Sequence, residues 1–404
     1  MLNPDVDGRA FAEPGEDIFA LVTAGVTYME QVMPRFVDDL QALCLLESPS
    51  DSPIGLNALA DQLHLLLERL EIGGRLIEHP RGNAFVATWE GNNPAAPVCL
   101  LLGHHDTVHP LGVAEVRMHR DGDRFYAPGT VDMKGGLLQG IYALEVLKQA
   151  QFQDFHKIIF LSVSDEEIST RYHVELIKQI AREHPIVLGL EGAGALGNVV
   201  TRRKGCSHYR LIARGKAAHA GSNPENGRNA VLELAHQIVQ AQSLANLRSG
   251  VTINAGPLSG GSWANVVSDF AEILFDVRFL HPEDRLAVEA RWQTLLQQQL
   301  VPGVKLDLQP EPDVMLPMVA TKQSLAVADT VRLITENIFK TSYHPEMRGG
   351  ASDCCTTAAE GCPSIDGLGA IGGGAHTADE YMLLAPVPNR VALLAGLIAS
   401  ISIT

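Results

Sequence analysis

Apolar and polar positions follow two periodicities along the chain. An amphipathic stretch from Met33 to Leu46, and a second carrying Leu56, Leu59, Leu63, Leu66, Leu67 and Leu70 at helical spacing, predict two early helices. The turn Ser48-Pro49-Ser50-Asp51-Ser52-Pro53 separates them. Short apolar runs at Val98 to Leu102, Ile158 to Val163 and Ile186 to Leu190 predict buried strands, and Leu137 to Leu147 and Val391 to Ile403 predict helices. Strands alternating with helices predict an α/β fold around a mostly parallel sheet.

The texture changes between Gly205 and Pro312. There the pattern reads strand (Ser207 to Ala213), helix (Asn229 to Gln242), strands (Val251 to Ala255 and Ala271 to Phe279), helix (Pro282 to Leu300) and strand (Val304 to Leu308). That βαββαβ order predicts a small ferredoxin-like α+β domain. The larger pattern then resumes, with a helix near Gln323 to Ile338 and Gly-rich loops at Gly349-Gly350 and Gly372-Gly373-Gly374. The expected organisation is a main domain over residues 1–205 and 314–404, interrupted by an inserted one over 206–313.

Composition narrows the class. A chain of 404 residues exceeds what one core usually sustains, in keeping with two domains. A formal charge of -16, from 31 basic against 47 acidic residues, argues against a nucleic-acid or anionic-membrane surface. No apolar stretch approaches the ~20 residues of a membrane helix. The first residues carry Asp5, Asp7, Glu13, Glu16 and Asp17 against Arg9 alone, the wrong sign for a signal peptide. Six cysteines without a disulfide framework or a Cys-x-x-Cys knuckle point to the cytoplasm.

The chemistry-bearing residues cluster after strand ends. In Gly103-His104-His105-Asp106-Thr107-Val108, extended backbone puts His104 and Asp106 on one side, where the carboxylate can orient a metal-bound imidazole. A strand-end His beside a solvated Asp is the plain alternative. Asp132, in Gly129-Thr130-Val131-Asp132-Met133-Lys134-Gly135-Gly136, stands where a helix begins, so an N-cap competes with a bridging carboxylate. Met133 and Lys134 read as core and surface. Ser164-Asp165-Glu166-Glu167 packs three acids together, which either face solvent or need cations to compensate them. Glu191 ends an apolar run, and His376 lies on a Gly-rich loop; a surface histidine is the plain reading of the latter. Taken together, His, Asp, Glu, Glu and His without a thiolate form a nitrogen/oxygen donor set suited to Zn²⁺, with Mn²⁺ or Co²⁺ as substitutes.

The order of these motifs, with Gly215-Lys216-Ala217-Ala218-His219-Ala220-Gly221 between them, resembles the dizinc hydrolases that include glutamate carboxypeptidase, aminoacylase, acetylornithine deacetylase and succinyl-diaminopimelate desuccinylase. The likeness runs from about Met33 onward and looks closest to the glutamate carboxypeptidase branch. It implies a zinc-peptidase-like catalytic domain interrupted by a lid or dimerisation domain, and a homodimer. It implies two Zn²⁺ per subunit: His104 and Glu191 on one, Glu167 and His376 on the other, Asp132 bridging. Asp106 would orient His104, and Glu166 would be the general base. His219 would reach a neighbouring active site and stabilise the oxyanion. Asn265, Arg278, Gly350 and Ser352 resemble residues that hold the substrate, Arg through a planar fork matched to a carboxylate. The implied activity is release of a C-terminal amino acid from a small peptide, with deacylation of an N-acyl amino acid as the second reading and a non-catalytic metal-binding protein as the other class. Ser268 where proline is common, Ala127 where glycine is common, and Cys354-Cys355 beside the Gly350 loop depart from the family pattern and leave the substrate open.

Overall fold

The protein is described from a computed structural model covering residues 14–402, position 246 excepted. In chain order the elements are α1 (Glu16–Leu45), α2 (Pro53–Glu68), β1 (Gly74–Ile77), β2 (Ala84–Glu90), β3 (Val98–His104), α3 (Ala114–Arg117), β4 (His119–Asp121), β5 (Arg124–Tyr126), α4 (Gly135–Gln149), β6 (Lys157–Val163), α5 (Val174–Ala181), β7 (Ile186–Gly189) and β8 (Val199–Arg203). Next come β9 (Gly205–Arg214), α6 (Ala230–Ala241), β10 (Thr252–Gly260), β11 (Phe270–Phe279), α7 (Pro282–Leu295) and β12 (Lys305–Met315). The chain ends through α8 (Lys322–Ile334), β13 (Pro345–Arg348), α9 (Asp353–Ala359), β14 (Ser364–Ile365), β15 (Gly372–Gly373), β16 (Tyr381–Leu383) and α10 (Val387–Ser402). Ile403 lies outside the described residues.

Two compact units result, one of Met1–Arg202, Ala320–Arg348 and Ser352–Thr404, the other of Arg203–Val319 and Gly349–Ala351. The first is built on a six-stranded sheet of order β1-β2-β6-β3-β7-β14. β6, β3, β7 and β14 run parallel, while β1 and β2 pair antiparallel at one edge. All seven residues of β3 are buried, which is why it reads as an unbroken apolar run rather than an alternating one. α4 and α10 pack on β3 and on each other, and α1 lies against both.

Helix α1 begins at Glu16, well before the stretch legible from Met33. Its buried stripe of Ile18, Val22, Gly25, Met29, Phe36, Leu40 and Leu43 runs on past Pro34, which lies on the exposed side of the helix. Gly25 weakens that stripe in the sequence, yet it is where the helix meets its neighbours: a Cβ there would stand 3.0 Å from Val146 and 3.2 Å from Ala392. The segment Gly372–Gly373, read as loop, pairs with Tyr381 and Met382 of β16. Tyr381 O would lie 2.1 Å from a Cβ on Gly372, so glycine is what permits this pairing.

The second unit is a four-stranded antiparallel sheet of order β10-β11-β9-β12. Tyr209, Leu211, Phe275 and Val277 on one face join Leu234, Val288 and Trp292 of α6 and α7 in its core. β10 is an edge strand. Among the described residues, no helix is long and apolar enough to cross a membrane.

Candidate metal centre

Three parallel strands deliver acidic or imidazole groups at their carboxyl ends, the position where open α/β sheets gather ligands. His104 is the last residue of β3, Glu166 and Glu167 follow β6 in a short 3-10 turn, and Glu191 follows β7. Asp132 sits in the turn that leads into α4, after Gly129 at φ 72°, and its peptide bond to Met133 is cis. His376 lies beyond β15, also in the left-handed region at φ 65°.

These residues meet in two sets that share one carboxylate. His104 Nε2 lies 3.2 Å from Asp132 Oδ1 and 3.5 Å from Glu191 Oε1. His376 Nε2 lies 3.1 Å from Asp132 Oδ2 and 3.2 Å from Glu167 Oε2. In each set the donor atoms fall within 4.8 Å of one another. The second oxygen of Glu167, Oε1, is buried without a hydrogen-bond partner among the described residues. Three carboxylates this close, one with an unsatisfied oxygen, fit cations better than they fit each other. The donors are nitrogen and oxygen only, as zinc or its hard substitutes accept.

The electrostatics of these side chains among themselves state the same excess of negative charge. Burial opposes a charge on His104, but Asp106, Asp132 and Glu191 outweigh it and raise its pKa well above 6.5. Asp132 and Glu167 push His376 up to about 10. Burial, with Glu191, Asp353 and Glu167 nearby, raises Glu166 well above 4.5 although His104 pulls it down. Cations in the two sets would take over the work of the histidine protons, because imidazole must be neutral to ligate.

The surroundings fix these groups. His104 Nδ1 lies 3.1 Å from Asp106 O and 3.3 Å from Asp106 Oδ1, which aims Nε2 at Asp132. Asp106 also accepts the backbone N–H of Glu166 and of Glu167, each at 3.1 Å, and the Ser50 hydroxyl at 2.7 Å. One buried carboxylate thus positions both the histidine and the acidic turn. Asp165, the third acid of that run, turns inward instead, accepting from Tyr172 N, His173 N and His173 Nδ1. His105 points away from the cluster, within 2.9 Å of the Ser162 hydroxyl, and burial lowers its pKa to about 3. Lys134, read as a surface residue, is buried: its ammonium donates to Leu46 O at 2.8 Å.

Glu380 carries a role that sequence reading missed. It is 2 % exposed and accepts four donors: Gly129 N at 2.8 Å, Val131 N at 2.8 Å, Asp132 N at 3.0 Å and His109 Nε2 at 2.6 Å. It therefore holds the loop that presents Asp132. The one sequence cue was an acid four positions after His376, beside apolar Tyr381-Met382.

A cavity of about 700 Å³ opens beside Glu167, lined in part by Ser50, Arg81, Thr107, His109, Arg171 and Tyr172. Its size suits a small ligand. Ser352, singled out for substrate, is buried and spends its hydroxyl on Asp366 Oδ2 at 2.6 Å and on the N-terminus of α9.

His219, Asn265, Arg278 and Gly350 belong to the second unit. His219 is exposed, its Nδ1 accepting Gly221 N and Ser222 N at 3.1 and 3.0 Å, and the Asn265 carbonyl accepts Ala220 N at 2.9 Å. Those two residues are thereby brought together. Arg278 grips Asp276 through Nε and Nη2 at 2.8 and 2.7 Å, and Gly350 O accepts from Arg203.

The model of the peptidase family M20/M25/M40 matches residues 100–400. Carboxypeptidase G2 of Pseudomonas sp. (strain RS-16) is 25% identical over 384 residues, covering 90% of this chain and 89% of that protein. Succinyl-diaminopimelate desuccinylase of Dechloromonas aromatica is 26% identical over 354 residues, covering 82% and 90%. Among solved structures, a tripeptidase from Staphylococcus aureus superposes with a TM-score of 0.77 at 20% identity, covering 92% of this chain and 99% of that one. These likenesses bear on the fold and the family.

Proposed function

We propose, because the chain belongs to the peptidase family M20/M25/M40, that this metal-dependent amide-bond hydrolase is a carboxypeptidase releasing a C-terminal amino acid from a small peptide. The observation that carries the metal chemistry is the division of Asp132, one oxygen toward His104 and Glu191, the other toward Glu167 and His376. Two zinc ions held there would acidify a water and polarise the scissile carbonyl. Mn²⁺ or Co²⁺ would serve as substitutes.

The chain's own groups do the rest. Glu166 takes a proton from the attacking water and returns it to the departing amine. Asp106 keeps His104 oriented and fixes the turn bearing Glu166 through its backbone N–H. His219 is assigned to the oxyanion of a neighbouring active site, and Asn265, Arg278 and Gly350 to the substrate, with Arg278, which also holds Asp276 through Nε and Nη2, meeting the substrate carboxylate. Ser352 bears on the substrate only indirectly, since its hydroxyl is already engaged by Asp366 and by the N-terminus of α9.

Likeness to carboxypeptidase G2 along 90% of the chain supports the peptidase reading, and likeness to the desuccinylase supports N-acyl amino acid deacylation as the second. A non-catalytic metal-binding protein would have no use for Glu166. Turnover of peptides ending in glutamate against N-acetyl amino acids, in a zinc-supplemented assay, separates the two enzymatic readings. Self-association as a homodimer is supported by apolar side chains exposed on α6, on edge strand β10 and just after it, namely Val239, Leu258 and Trp263. Six cysteines with no disulfide between them support a reducing, cytoplasmic setting.

A further inference from the structure

We propose that the second unit carries its own mononuclear site for a borderline-soft divalent cation, zinc foremost, made by Cys206, His208 and Asp276. Strand alternation puts Cys206 and His208 on one face of β9. Antiparallel register sets His208 opposite Asp276 and Cys206 opposite Arg278 on β11. This is the sheet face turned away from Tyr209, Leu211, Phe275 and Val277, which fill the core. Three donor types thus converge from rigid strand positions rather than from loops.

Their distances form a triangle. Cys206 Sγ lies 3.8 Å from His208 Nε2 and 3.7 Å from Asp276 Oδ2, and His208 Nε2 lies 3.4 Å from the same Oδ2. With zinc bonds of about 2.3 Å to sulfur and about 2.0–2.2 Å to nitrogen or oxygen, a tetrahedron has edges of about 3.3–3.6 Å. Closing onto a cation needs movements of only a few tenths of an ångström.

The same contacts argue against a nucleophilic relay. In a Cys-His-Asp triad the thiol and the carboxylate meet opposite ring nitrogens. Here both meet Nε2, where a single proton cannot serve both and a cation can serve all three. Arg278 already engages Asp276, with Nε 2.8 Å from Oδ1 and 3.1 Å from Oδ2 and Nη2 2.7 Å from Oδ2. An ionised carboxylate offers about four acceptor positions, so Oδ2 can keep that bond and still ligate. Cys206 is only 5 % exposed, which shields its sulfur from bulk oxidants, while the mixed sulfur, nitrogen and oxygen set selects zinc or cobalt over magnesium or calcium.

The test is optical, because the Asp132 centre has no sulfur donor. The chelator-stripped full chain is titrated with Co²⁺. A near-ultraviolet sulfur-to-cobalt charge-transfer band is expected, saturating at one cobalt per chain. Cys206→Ser should lose that band and bind one cobalt fewer, while keeping the visible absorption of cobalt held by nitrogen and oxygen; His208→Ala should also lose the band. No sulfur band in the wild-type chain at saturating Co²⁺, or a band that survives Cys206→Ser, overturns the site. Loss of the nitrogen/oxygen absorption with an intact sulfur band would instead count against the Asp132 centre and support this one.

Discussion

Glu380 accepts the backbone N–H of Asp132 at 3.0 Å, so the residue whose carboxylate both ligand sets share is held at its backbone by another carboxylate. Both oxygens of Glu380 are needed: Oε1 takes Val131 N and Asp132 N, while Oε2 takes Gly129 N and His109 Nε2. Glu380→Gln would turn an amide NH₂ toward backbone N–H donors. Metal affinity should fall about 10–100-fold, as for other groups that orient ligands, read by competition with a chromophoric chelator. Unchanged affinity would show that the loop holds its shape without Glu380.

Glu166→Ala should leave metal content unchanged and lower turnover by ~10²–10⁴. Metal analysis beside steady-state kinetics checks both halves. A variant with wild-type turnover would remove Glu166 from proton transfer.

Much of this arrangement is readable along the chain, for physical reasons. Strand β3 is buried on both faces, so its apolar run and the polar residues that terminate it stand out together. The βαββαβ pattern of the second unit is equally plain, because one sheet face is buried and alternation survives: β11 reads buried and half-buried in strict turn. What escapes reading depends on contacts distant in sequence. The start of α1 is hidden because Gly25 stands in its apolar stripe and Pro34 in the middle of the helix, and only packing against Val146 and Ala392 explains the glycine. Lys134 looks like surface until Leu46 O is found beside it. Glu380 stands 248 positions from Asp132, and nothing local marks it as the anchor of that loop.

His219→Ala should lower kcat well beyond any change in KM, since the proposed contact forms as charge develops on the oxyanion. Equal kcat in variant and wild type would leave His219 as the turn residue that its bonds to Gly221 N and Ser222 N already make it.

Stability of the cation-free protein should depend on pH through His208 and Asp276. The hydrogen bond to Asp276, then that to Cys206, raises His208 from 6.5 to about 10. A raised imidazole pKa stabilises the fold fully below 6.5 and loses that contribution as pH climbs toward 10. Asp276 is lowered from 3.8 by His208 and Arg278 despite its burial, so its contribution is present above that value and fades in acid. Urea midpoints should therefore decline between pH 6.5 and 10, and Asp276→Asn should flatten the decline. Parallel curves for the two proteins would exclude the linkage.

The shared carboxylate is tested most directly by anomalous diffraction from zinc-loaded crystals at the zinc edge. The account predicts a pair of peaks about 3.5–4 Å apart on either side of Asp132, one against His104 and Glu191 and the other against Glu167 and His376. A single peak there, or zinc only elsewhere in the molecule, would contradict it.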